Sequence, residues 1–88
     1  MSVRVDEMTM RGIPQTLTDR ELELDVQPLT KTPVPVPARA WVRYGGVAIK
    51  LEVEIVAWTP RAVAVRWKTG AGEEHRAWVW ASAVERGG

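Results

Sequence analysis

Apolar and charged residues alternate from Val47 to Trp58. Val47, Ile49, Leu51, Val53 and Ile55 occupy one set of positions, with Lys50, Glu52 and Glu54 between them. Side chains alternate faces along a strand, so this spacing predicts one long β-strand with an apolar and a charged face. The same period recurs at Ala38–Tyr44, at Ala62–Lys68 with Val63, Val65 and Trp67, and at His75–Ala81. Gly45-Gly46 is a two-residue hairpin signal, because glycine accepts the positive φ of a tight turn. Thr59-Pro60-Arg61 and Thr69–Glu74 supply two further turns. Ser82-Ala-Val84 reads as a single helical turn before a last short strand. The expected core is Val42, Val47, Ile49, Leu51, Val53, Ile55, Val63, Val65, Trp67, Val79 and Val84.

Residues 1–37 read as an N-terminal arm and residues 38–88 as the domain. Val3-Arg-Val5 suits a brief strand. Thr18-Asp-Arg-Glu21 has the spacing of a capping box. Against it, Leu22, Leu24 and Val26 alternate with Glu23 and Asp25, so the reading favours an extended segment here. Pro33-Val-Pro-Val-Pro37 favours polyproline II, as a stiff connector or a ligand for an aromatic groove.

Composition adds limits. Eighty-eight residues allow one domain. There is no cysteine, which excludes disulfides and thiolate metal sites. No apolar run suggests a signal peptide or a membrane span, so the expected location is cytoplasmic, with no membrane partner. Arginine outnumbers lysine nine to three, and asparagine and phenylalanine are absent. With abundant Ala, Val, Gly and Pro, this is the coding bias of a high-GC genome. Residues 1–37 carry a net charge of −2 and residues 38–88 a net +3. That asymmetry fits an acidic arm on a basic domain, or scatter in a short chain.

The run Glu54-Ile-Val-Ala-Trp58, Ala62-Val-Ala-Val-Arg-Trp67, Gly72–Trp80 and Ala83-Val84 resembles a Tudor or SH3-like small barrel. The resemblance covers residues 38–86 and implies an all-β fold, a small SH3-like (Tudor-like) barrel of about five strands. Tudor cages place aromatics at the ends of the first and third strands. Trp41 and Tyr44 match one side, but Ala62 stands where another aromatic is wanted. SH3 domains carry a proline in the closing turn, which Trp80-Ala-Ser-Ala-Val84 lacks. The chain is also similar to small proteins of high-GC bacteria and their phages.

Few residues suggest chemistry. His75 is the sole histidine. With Glu73 and Glu74 beside it, a Glu–His pair is conceivable, but a solvated turn histidine is the plainer reading. Glu52 and Glu54 share a strand face and read as solvated charge. No phosphate loop and no metal-ligand spacing occurs, so no cofactor or metal is implied and an enzyme is not expected.

The tryptophans are the stronger signal. Parity places Trp67 in the core. It sets Trp41 beside Arg39 and Arg43, Trp78 and Trp80 beside Arg76, and Trp58 beside Val56. Trp41, Trp58, Trp78 and Trp80 are therefore candidate ligand-binding residues, and the Tudor resemblance adds Tyr44 to them. Exposed tryptophan and arginine are common anchors of protein interfaces. Two alternatives stand beside an open face. A bulge would swap the phase of a strand, or the arm, through Leu17, Leu22, Leu24, Val26 and Leu29, covers the tryptophans as a second core layer. The expected function is a non-enzymatic protein-binding module or adaptor, such as a phage-encoded modifier of a host complex. The alternative is a nucleic-acid-binding barrel using Arg39, Arg43, Arg66, Lys68 and Arg76. A pI of 8.2 is below the usual basic footprint and favours the first.

Overall fold

The computed structural model of the chain describes residues 14–86. The expected strand at Val3–Val5 lies outside them. A short helix, α1 (Asp19–Leu22), precedes β1 (Thr30–Tyr44), β2 (Val47–Trp58), β3 (Ala62–Lys68) and β4 (Glu74–Trp80). A 3-10 turn at Ala81–Ala83 leads into β5 (Val84–Arg86). The protein is all-β: the strands form one antiparallel sheet in the order β4-β3-β2-β1-β5. No helix among the described residues is long and apolar enough to cross a membrane.

The alternating pattern does what it predicts along β2. Ile49, Val53 and Ile55 are buried, while Lys50, Glu52 and Glu54 are exposed. They join Val42, Val63, Val65, Trp67 and Val79 in the core, with Leu51 and Val84 packed partly buried against it. Val47 departs from expectation and is exposed. It pairs with Tyr44 at the hairpin end, the last pair before the Gly45-Gly46 turn. Gly45 and Gly46 make the turn with φ of 55° and 89°. Nothing stands within 4 Å of a Cβ at either position, so the backbone angle alone calls for glycine.

Two further turns share a device. Thr59 Oγ1 accepts from the N–H groups of Arg61 and Ala62 at 3.2 and 3.0 Å. Thr69 Oγ1 accepts from those of Ala71 and Glu73 at 3.3 Å each. Both threonines are buried and satisfied, which removes the cost of burying a hydroxyl.

The first strand is longer than the sequence suggests. It begins at Thr30, so the proline-rich segment belongs to it and is not a separate connector. The ladder with β2 breaks between Lys31 and Val36. Proline has no N–H to donate, so Pro33 and Pro35 are tolerated only where the ladder is interrupted. The extended segment expected at Leu22–Val26 is also corrected. Thr18 and Glu21 form the capping box, with Glu21 N–H donating to Thr18 Oγ1 at 3.2 Å and Thr18 N–H to Glu21 Oε1 at 3.0 Å. The helix ends at Glu23, whose φ of 50° is left-handed. Capping hydrogen bonds satisfy the helix end, which a two-residue alternation with no partner strand does not offer.

A bulge in β2 reorganises the faces. The register with β3 shifts between Ile55 and Ala57, so Ile55 opposes Val65, but Ala57 opposes Ala64 and Trp58 opposes Val63. The extra residue, Val56, inverts the parity that follows it. Trp58 therefore packs against the core, and Ala57 takes its place on the outer face.

Candidate functional site

The outer face of β3 and β4 is built from cross-strand pairs. Ala62 opposes Trp80, Ala64 opposes Trp78 and Arg66 opposes Arg76. Each tryptophan thus stands opposite a methyl group, which leaves room for the indole to lie along the sheet. β1 contributes Trp41 to the same side of the molecule. Although β1 and β4 are not neighbours in the ladder, the curl of the sheet brings Trp41, Trp78 and Trp80 to one groove of about 420 Å³. Leu17, Arg43 and Ala48 complete its walls. Trp41 is 48% exposed and Trp80 42%, while Trp78 is half-buried.

The arm enters this groove. Gln15 N–H donates to the Arg43 carbonyl at 2.8 Å, and Leu17 N–H to the Trp78 carbonyl at 3.0 Å. Trp78 N–H in turn donates to Thr16 Oγ1 at 2.7 Å. Residues 15–17 therefore bridge β1 and β4. They do not form the full second layer that Leu17, Leu22, Leu24, Val26 and Leu29 were expected to supply. Leu22 is buried, but Leu24, Val26 and Leu29 are exposed.

Trp41 has its own support. Lys50 Nζ lies 6.0 Å from the ring centroid and 2.7 Å from Glu85 Oε2. This hydrogen bond and charge hold the Glu85 carboxyl below its usual range. Lys50 thus reaches over β1 from β2 to β5.

Trp58 and Tyr44 lie elsewhere. Trp58 faces the core side because of the bulge, with the Arg86 guanidinium 5.9 Å from its ring. Tyr44, grouped by sequence with the exposed aromatics, is 4% exposed. Its hydroxyl accepts from Trp67 Nε1 at 3.1 Å and sits 2.7 Å from His75 Nδ1. The indole N–H only donates, so the Tyr44 oxygen accepts there, while between that oxygen and Nδ1 a single proton is shared, carried by the phenol or by the histidine according to its tautomer. Nε2 faces Glu73 Oε2 at 3.8 Å. Burial raises the Tyr44 pKa above its ordinary value, and the Trp67 hydrogen bond opposes this. His75 is therefore part of a polar cluster at the core's edge, not a solvated turn residue. Parity alone sets Tyr44 on the core face with Val42; the Tudor resemblance groups it with Trp41 as a ligand residue, and its burial corrects that.

The basic residues are largely matched by acids. Arg66 Nε lies 3.2 Å from Glu54 Oε1, and Arg76 Nε 2.9 Å from Glu74 Oε2. Arg39 has a looser partner in Glu52 at 4.0 Å. Arg43 and Lys68 have no ion pair among the described residues. No cluster of three His, Asp or Glu side chains with metal-binding arrangement occurs among the described residues. Comparison with protein-family models, curated proteins and solved structures gives no match.

Proposed function

We propose that this chain is a non-enzymatic protein-binding module, an adaptor that engages a partner through Trp41, Trp78 and Trp80. The carrying observation is that these three indoles, from strands far apart in the sheet, line one open groove. Tryptophan supplies large contact area at low rotamer cost and dominates interface energetics. An SH3-like architecture is supported by the strand order, in which β5 follows a 3-10 turn and returns to pair with β1. The pairing of Arg39, Arg66 and Arg76 with carboxylates argues against the nucleic-acid alternative. A phosphate backbone would have to displace those acids, and the counterion gain would be small. The hydrogen bond that ties His75 to Tyr44 favours a structural over a catalytic histidine.

The test is affinity capture from a host lysate, scoring both protein and nucleic acid, with wild-type and Trp41→Ala/Trp80→Ala baits of matched fold. A protein captured by wild type and lost by the variant supports the reading. Nuclease-sensitive capture that both baits retain overturns it.

A further inference from the structure

The bulge in β2 creates a second groove. Across four strands, Lys31 is paired with Ala57, Ala57 with Ala64, and Ala64 with Trp78. Without the bulge the larger Val56 would oppose Ala64 in the middle of this row. Instead two methyl groups form a low apolar floor between Lys31 and the Trp78 indole. Val56 and Arg76 add to the walls, and the cavity is about 390 Å³, within the ~300–1,000 Å³ of ligand sites. Its lining contains two cations and no carboxylate. Arg76 shares its charge with Glu74, and Lys31 has no ion-pair partner among the described residues.

We infer that this groove binds an acidic peptide segment of a partner protein, one in which an aliphatic side chain is flanked by carboxylates. The aliphatic group covers the Ala57–Ala64 floor against Trp78, and the carboxylates meet Lys31 and Arg76. Charge complementarity selects this partner. A nucleic-acid strand is disfavoured, because the next cation along the sheet, Arg66, is already held by Glu54. The site stands apart from the Trp41–Trp80 groove, sharing the Trp78 edge, so either can fail without the other.

The experiment titrates the full chain with a labelled peptide alternating leucine with glutamate, with its glutamine counterpart, and with a single-stranded DNA oligonucleotide. Anisotropy gives affinity and amide shifts give location. The glutamate peptide should bind with shifts centred on Ala57 and Ala64. Its affinity should fall by about tenfold or more in Lys31→Glu, where like charges meet. A comparable loss is expected in Ala64→Leu, which fills the floor and leaves the charges alone; if that variant does not fold, Lys31→Glu still decides. Absence of binding at low salt, equal affinity for the two peptides, shifts confined to Trp41, Arg43 and Ala48, or tighter binding of the oligonucleotide would each overturn the assignment.

Discussion

Tyr44 and His75 are joined by a 2.7 Å hydrogen bond although two strands separate β1 from β4 in the sheet. The bond spans the curl of the sheet, and Trp67 joins it from β3 through the 3.1 Å bond to the same oxygen. Tyr44→Phe keeps the ring but leaves Trp67 Nε1 and His75 Nδ1 without this partner. The expected cost is about 1–3 kcal/mol, the penalty for stranding polar groups in a partly buried site. Denaturant unfolding measures it, and a loss near zero would show that the cluster does not hold the strands.

The same hydroxyl gives a pH signature. Its folded pKa lies above the ordinary value of 10.0, chiefly through burial. The neutral phenol is favoured by folding, so its contribution is complete below that ordinary value. It is lost as pH rises through the higher folded pKa. The wild type should therefore lose more stability than Tyr44→Phe above about pH 10. Tyr44 is the only tyrosine, so tyrosinate absorbance reports its titration directly and should show the upward shift.

Trp67 and Trp41 should respond differently to truncation. Trp67 is buried among the core strands, and Trp67→Ala should cost about 3–5 kcal/mol. Trp41 is half exposed and loses chiefly its contact with Lys50, so Trp41→Ala should cost about 1 kcal/mol. Thermal unfolding of the two variants compares them. Equal, large losses would make Trp41 a core residue and remove it as a ligand anchor.

Thr16 ties the arm to β4. Thr16→Val preserves shape and removes the acceptor for the Trp78 N–H. Hydrogen exchange at Trp78 should quicken, with a stability loss of about 1 kcal/mol. Unchanged exchange would mean that the arm's hold on β4 rests on the Leu17 bond alone.

The bulge is open to a direct check. Deleting Val56 removes the extra residue, so Ile55 opposite Val65 is followed directly by Ala57 opposite Ala64, and Trp58 keeps its core side opposite Val63. The expected cost is that of one half-buried side chain, about 1 kcal/mol, measured by denaturant unfolding. Trp58 emission should stay that of a partly buried indole. A shift toward solvated emission would show that Trp58 is held inward by something other than its register with β3.

Those contrasts mark what was legible in the chain. The strand alternation at Ile49, Val53 and Ile55, the Gly45-Gly46 turn and the bounds of β2 and β3 follow from local rules, and local rules sufficed. Trp41, Trp78 and Trp80 were placed on the outer side by parity alone. Trp58 was misplaced because a bulge is a property of two paired strands, and nothing within Glu54–Trp58 announces it. Tyr44 was misplaced because the Tudor resemblance overrode its parity with Val42, while its partners Trp67 and His75 are distant in sequence. The helix at Asp19–Leu22 was overlooked in favour of the alternation of Leu22, Leu24 and Val26, although its capping box was visible. In that contest a satisfied helix end outweighs a period that has no neighbouring strand to pair with.

β1 is held along one edge by β2 and along the other by β5, where Ala38, Arg39 and Ala40 pair with Arg86, Glu85 and Val84. Those two segments are separated by more than forty residues of chain. The entropy of bringing them together must be met before the pairing returns anything, so this ladder forms late and slows the whole transition. Until it forms, the middle of β1 presents unpaired N–H and C=O groups, an invitation to strands of other molecules. Three residues that add little core thus act as a seal. A chain cut before Val84 should keep most of its buried side chains and still be the more prone to aggregate.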